Sequence, residues 1–219
     1  MTSPVIAIDG PAASGKGTLA RALAEKLNFA YLDTGMLYRM VGHTVLERGQ
    51  DPADKTAATE AAEFLRDYFS PDLLGNPALR EDDAGQAASK IATIPQVREA
   101  LLELQKNFAK NPPKPYQGAI LDGRDIGTVI CPDAPLKLYI TASAEIRAER
   151  RLKELQSKGL AVTYEAVLKD MRERDARDAD RKTAPMKPAG DAIVIESSAL
   201  DAGQMLEKAV LLTKEHLKL

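Results

Sequence analysis

Val5-Ile6-Ala7-Ile8-Asp9-Gly10-Pro11-Ala12-Ala13-Ser14-Gly15-Lys16-Gly17-Thr18 decides how the rest of the chain is read. Val5 to Ile8 is a short β-branched run that stops at Asp9-Gly10, the pattern of a buried strand. A Gly-rich turn follows, and Leu19, Leu23 and Leu27 then recur at helical spacing over 16–27. A strand, a glycine turn and a helix opening on lysine form the context a phosphate-binding loop requires. The glycines let backbone N–H groups turn toward one centre, and the helix N-terminus adds partial positive charge there. Lys16 can place a full charge on a transferred phosphoryl group. Gly10, Pro11, Ala12, Ala13, Ser14, Gly15, Lys16, Gly17 and Thr18 are therefore candidate ligands of a polyphosphate. A bare glycine turn is the bland alternative, but nothing structural demands Gly-Lys-Gly-Thr after a strand. The strict G-x-x-x-x-G-K-[ST] pattern is not met, because Gly17 stands where a hydroxyl is expected and Thr18 follows one position later. A metal beside this loop would need water-mediated protein contacts plus phosphate oxygens.

Working outward, Phe29 to Asp33 reads as a second strand and 35–48 as a helix with Leu37, Met40, Val41, Thr44 and Val45 on one face. This β-α-β-α opening argues for a parallel sheet. Further strands are expected at 119–122, 136–140 and 192–195. Helices are expected at 96–109, 143–157, 163–175 and 201–217, and 111–115 is a proline-rich loop. The predicted fold class is α/β: a P-loop core with a five-stranded parallel sheet flanked by helices. The core is expected at 1–48, 96–155 and 188–219. The stretch 49–95 carries Asp and Ala runs and the turn signals Ser70-Pro71-Asp72 and Gly75-Asn76-Pro77. It reads as an insert of mostly short helices without a strong strand. A second insert is expected at 156–187.

Composition narrows the function classes. At 219 residues the chain is about one and a half domains long on a prior of roughly 150 residues per domain. One cysteine, Cys131, and two histidines, His43 and His216, exclude an intramolecular disulfide and nearly exclude a zinc site. A cytoplasmic protein is expected. The first nine residues lack a basic region and are not read as a signal peptide. No apolar run is long enough to span a bilayer. The net charge of −2 argues against nucleic-acid binding through a basic surface.

Three further clusters carry chemistry. Asp33-Thr34-Gly35, followed by Tyr38-Arg39, comes at the end of the second strand. A helix cap is the bland reading of Asp33 or Thr34, whereas the Arg39 fork suits a phosphate. Asp122-Gly123-Arg124-Asp125 follows the third strand, at a carboxyl end, where open α/β sheets bind ligands. Asp122 is placed like the acid that holds a metal or its waters, against the alternative of a turn-forming Asp-Gly pair. The span 145–182 holds 11 basic and 9 acidic residues, including 7 of the 14 arginines. A solvated charged helix is the bland reading. A Gly-flanked insert rich in Arg rather than Lys reads instead as a lid that closes over phosphates, with Arg150 and Arg151 on the preceding helix.

Taken together, these motifs resemble the bacterial cytidylate kinases, from about residue 4 to the C-terminus, and the Gly-Lys-Gly-Thr variant is similar to the loop of nucleoside monophosphate kinases. The shared residues are Ile8-Asp9-Gly10-Pro11, Gly15-Lys16-Gly17-Thr18, the Asp33 to Arg39 block, Ala88-Ser89, Pro95, Val97-Arg98, Asp122 to Asp125, Gly127-Thr128-Val129, Glu173-Arg174-Asp175, Arg177-Asp178 and Arg181. The resemblance implies transfer of the γ-phosphoryl of ATP to CMP or dCMP with Mg²⁺, on a P-loop core with an NMP-binding insert and a lid. It implies that Ser89, Arg98 and Asp125 read cytosine, and that Asp33, Thr34, Arg39, Arg124, Arg174, Asp178 and Arg181 hold the acceptor's phosphate and ribose. Lys16, Arg39, Arg124, Arg174 and Arg177 would be catalytic, Arg177 with Arg150 or Arg151 would hold donor phosphates, and Asp122 would hold the metal through water. The stretch between Arg39 and Ser89 looks shorter than in the enterobacterial-type enzymes and lacks their β-rich pattern.

The expected partners are ATP and CMP or dCMP, with no nucleic acid, no membrane and a monomeric state. The rivals are a P-loop kinase acting on UMP, AMP, shikimate or dephospho-coenzyme A, a nucleotide-binding switch without transfer chemistry, and a nucleic-acid binder using the 145–182 arginines.

Overall fold

The computed structural model describes residues 3–218. Five strands, β1 (Val5–Asp9), β2 (Ala30–Asp33), β3 (Ala119–Gly123), β4 (Leu136–Thr141) and β5 (Ile193–Glu196), form one parallel sheet in the order β2-β3-β1-β4-β5. Central β1 is flanked by β3 and β4, with Ile8 opposite Asp122 and Leu138, and Asp9 opposite Gly123 and Tyr139. The chain leaves β1 toward one side and later returns to the other. The carboxyl end of β1 is thus the point where strand order reverses and where a crevice opens.

Helices α1 (Lys16–Leu27) and α8 (Ala202–Leu217) cover this sheet, and their buried Leu19, Leu23, Met205 and Val210 pack with Ile6, Ile8, Ile120 and Leu138. Helices α6 (Ala144–Ser157) and α7 (Tyr164–Ala179) pack on each other through Ala148, Leu155, Val167 and Met171, with Ala12 and Ala13 against that cluster. Ser143, Thr163 and Asp201 cap α6, α7 and α8 by accepting first-turn N–H groups. The remaining helices are α2 (Thr34–Glu47), α3 (Lys55–Tyr68), α4 (Asp82–Ile91) and α5 (Pro95–Lys110).

The chain forms two compact units, one up to Leu32 and from Ala109 onward, the other Asp33–Phe108. In the second unit α2 packs against α3 and α4. A Cβ on Gly42 would lie 2.7 Å from the Ala87 Cβ, so the α2–α4 approach depends on that glycine. Two 3₁₀ turns, Pro71–Gly75 and Pro77–Arg80, match the two proline turn signals. α3 is longer than the short helices expected at 49–95. It buries Ala57, Ala58, Ala61, Ala62 and Leu65, a face of small side chains that carries little hydrophobic contrast in sequence. α7 likewise runs on to Ala179, past the last apolar residue of its pattern, because its final turns are charged but helix-compatible.

Candidate active site

The turn after β1 is wound tightly. Gly10 has φ 150°, and a Cβ there would overlap the Ile140 carbonyl oxygen, so only glycine passes β4 at this point. Ala13 and Gly15 also have positive φ, 57° and 90°. Three cations face the loop's carbonyls through long hydrogen bonds of 3.4 Å: Lys16 Nζ to Pro11 O, Arg147 to Ala12 O and Arg150 to Ser14 O. No side chain caps α1. Its first turn therefore faces the loop with N–H groups and the positive helix end, an arrangement suited to an anion. The Ser14 hydroxyl is fully buried and has no hydrogen-bond partner among the described residues.

Two buried acids stand at the carboxyl ends of the central strands. Asp122 accepts the Tyr31 hydroxyl at 3.1 Å. A Cβ on Gly17 would lie 3.4 Å from the second Asp122 oxygen, so the missing loop hydroxyl leaves room beside this carboxylate. Asp9 accepts the backbone N–H groups of Ile126 and Gly127, both at 2.8 Å. Burial pushes its carboxyl up to about 6, against the lowering effect of those two bonds. Asp125 precedes a wide turn over Ile126–Ile130 and is itself buried.

The arginine-rich helices present two ion-paired groups. Arg147 grips Asp175 with both guanidinium ends, at 3.2 and 2.6 Å, and donates to Ala142 O, tying α7 to α6 and to the loop. Arg124 Nε meets Asp178 at 3.0 Å, and Arg181 Nε donates to the Asp178 carbonyl at 3.2 Å. Burial pushes the Asp178 carboxyl up, but Arg124, Arg181 and Arg174 outweigh it and hold the group below its ordinary value. The structure thus brings Arg124, Arg174, Asp178 and Arg181 together. Arg177, on the same helix, is half-buried. Arg150 also donates to the Ser197 hydroxyl and carbonyl, whereas Arg151 pairs with Glu154 along α6. Beside the loop lies a cavity of about 310 Å³, lined by Ser14, Gly15, Thr18, Arg150, Leu200 and Met205 among others.

The second unit holds the remaining expected residues. Asp33 occupies the N-cap position of α2, yet its side chain makes no capping hydrogen bond. Thr34 begins α2 and is buried. Arg39 reaches across to the carbonyls of Leu79 and Glu81 at 2.8 and 3.0 Å. Gly85 gives it room, since a Cβ there would lie 2.9 Å from the guanidinium. Ser89 is buried on α4, and Arg98 is buried with its guanidinium 5.5 Å from the Tyr38 ring centre.

The family model for cytidylate kinase matches residues 6–215. The chain is 59% identical over 208 residues to a cytidylate kinase of Paramagnetospirillum magneticum, covering 95% of this chain and 96% of that one. It is 57% identical to one from Rhodospirillum rubrum, over 94% and 95% of the two chains. The chain belongs to the cytidylate kinase family. It is an ATP-dependent nucleoside monophosphate kinase of the P-loop type. Among solved structures, an uncharacterized protein from Eubacterium ventriosum has a TM-score of 0.55 at 17% identity, over 97% of this chain and 99% of that one. A gluconokinase from Sinorhizobium meliloti has a TM-score of 0.50 at 13% identity, over 99% and 95%. These two likenesses concern the fold alone.

Two contacts of this cytidylate kinase family member were not singled out by sequence reasoning. Arg147 was only one of many charges on a helix, although it lies three and four residues before Arg150 and Arg151, on one helical face. Asp9 read as the end of a strand. An acid that directly follows an apolar β-branched run is itself the signal that could have found it.

Proposed function

We propose that this chain transfers the γ-phosphoryl group of ATP to CMP or dCMP, giving CDP or dCDP. The family match over residues 6–215, carrying the Gly-Lys-Gly-Thr loop intact, supports this most directly. Donor phosphates bind in the loop of residues 10–18, with Lys16, Arg177 and Arg150 or Arg151 neutralising their charge. The Arg150 contacts with Ser14 and Ser197 favour Arg150 over Arg151. The cavity next to Thr18, with Leu200 and Met205 in its wall, takes the rest of the donor nucleotide. Asp33, Thr34, Arg39, Arg124, Arg174, Asp178 and Arg181 hold the acceptor's phosphate and ribose. Ser89, Arg98 and Asp125 read its base. Cytosine offers an exocyclic amine to a carboxylate and a carbonyl to an arginine. Uracil presents a carbonyl in place of the amine and would leave Asp125 facing a second acceptor.

The chemistry is positioning and charge neutralisation. Two anions must meet in line, and Lys16, Arg39, Arg124, Arg174 and Arg177 offset their repulsion. The segment 156–187 acts as a lid that excludes water from the transfer, and 49–95 is the NMP-binding insert. The donor set fits Mg²⁺. Asp122 is one buried carboxylate with space beside it, and a hard cation that keeps waters and shares phosphate oxygens needs few protein ligands. Asp122 would hold it through water, and bound there it would add positive charge against the phosphates. We place the enzyme in the cytoplasm as a monomer. Among the described residues no helix is long and apolar enough to cross a membrane.

ATP-dependent phosphorylation of CMP, dCMP, UMP and AMP, assayed side by side, tests the reading. CMP and dCMP should lead; equal turnover of UMP or AMP would overturn the acceptor assignment. Lys16→Ala should lower kcat about a hundredfold or more. Near-wild-type kcat in that variant would remove the loop from the mechanism.

A further inference from the structure

Asp9 ends β1 and is only 4% exposed. Its two carboxylate oxygens each accept one N–H at 2.8 Å, from Ile126 and from Gly127. These are the first two N–H groups of the turn after Asp125. That turn closes on the Asp125 carbonyl, which accepts from Val129 N at 2.9 Å and from Ile130 N at 3.2 Å. No local side chain caps it. A helical turn started in this way leaves its first N–H groups in need of an acceptor. Here the acceptor comes from another strand, 117 residues earlier than Ile126. The seat is close: a Cβ on Gly127 would lie 3.1 Å from the Lys137 Cδ and 3.4 Å from an Asp9 oxygen. Lys137 is itself fixed by Asp191 at 2.7 and 2.8 Å.

A buried carboxylate is a costly way to end a strand, more so with a second acid, Asp125, near enough to repel it. An apolar residue would close β1 at less cost. What an apolar residue cannot do is hold two N–H groups and so fix where Asp125 departs from the sheet. We propose that Asp9 is a positioning residue for acceptor-base selection: it sets the turn that carries Asp125, and thereby helps the enzyme prefer cytosine over uracil. This rests on the reading of Asp125 as the group that accepts from the exocyclic amine.

The test uses the full chain with Asp9→Asn, Gly127→Ala and Asp125→Asn, and measures kcat/KM for CMP and for UMP at saturating ATP. The CMP-to-UMP ratio is read on one preparation, so any loss of folded enzyme cancels. A merely structural role would lower both substrates alike. Asn keeps one acceptor oxygen, so Asp9→Asn gives up one of the two bonds, and the ratio should fall about tenfold. It should fall no further when Asp9→Asn is added to Asp125→Asn. Gly127→Ala, which puts a methyl 3.1 Å from the Lys137 Cδ and 3.4 Å from the Asp9 carboxylate and so crowds the turn at its seat, should lower the ratio in the same direction and carries the test if Asp9→Asn yields no folded protein. An unchanged ratio in Asp9→Asn, with a collapsed ratio in Asp125→Asn, overturns the positioning role and leaves the base-reading role standing. An unchanged ratio in Asp125→Asn overturns the base-reading role and this inference with it.

Discussion

Asp9 and Asp178 are both buried acids, and their surroundings push them in opposite directions. Burial dominates at Asp9, where the carboxyl stands at about 6; the three arginines near Asp178 win there and hold it low. The unfolded chain returns both to the ordinary value of 3.8. For Asp9 the folded value is the higher one, so ionisation costs stability above about pH 6, and the cost lifts as the pH falls through that value. Asp178 stabilises the fold above its ordinary value and loses that contribution only at lower pH. From about pH 7 to about pH 5 the wild type should therefore gain about 1 kcal/mol relative to Asp9→Asn. Paired melts at the two pH values measure this; equal shifts would deny Asp9 its raised pKa. At Asp125 the expectation is kinetic. Asp125→Asn should raise KM for CMP at least about tenfold while changing KM for ATP little, and parallel rises in steady-state assays would count against base reading. The candidates at this scale were legible because their chemistry is local: Gly-Lys-Gly-Thr and Asp-Gly-Arg-Asp announce themselves. What Asp9 touches was not legible, because Ile126 and Gly127 reach it only through the sheet.

At the scale of elements, two contacts set how helices meet. Gly42 lets α2 approach the Ala87 backbone on α4. Gly42→Ala should force the helices apart and cost about 1–3 kcal/mol, visible as a lower midpoint in denaturant. The Arg147–Asp175 fork joins α6 to α7, with the arginine 5% exposed. Asp175→Asn leaves that guanidinium buried against a neutral partner. A loss of about 1–3 kcal/mol is expected, with a raised KM for ATP because Arg147 also reaches the loop at Ala12. An ATP KM unchanged within error would confine the fork to stability. Strand and helix positions were readable here from period and punctuation, since β1 and β5 are β-branched runs, the other strands are short apolar stretches, and α1 and α5 carry spaced leucines. The length of α3 was not, because a face of alanines has almost no contrast with its flanks.

At the scale of the whole molecule, the chain divides into a sheet-bearing unit and a helical unit, Asp33–Phe108. Ligands that bind only the folded state should stabilise it by mass action: ATP at about a hundred times its Kd should add about 2.7 kcal/mol. Lys16→Ala should lose most of that gain, and a thermal melt with and without nucleotide distinguishes the two. The sequence by itself determined the α/β class, the loop after β1 and the set of arginines and acids, because backbone punctuation, apolar period and residue chemistry are local properties. Only the tertiary structure decided the strand order β2-β3-β1-β4-β5, which of the α6 arginines turns to Ser14, and that Asp9 caps the turn after Asp125. Those facts depend on which distant segments share a sheet and a buried environment, and no local pattern encodes that pairing.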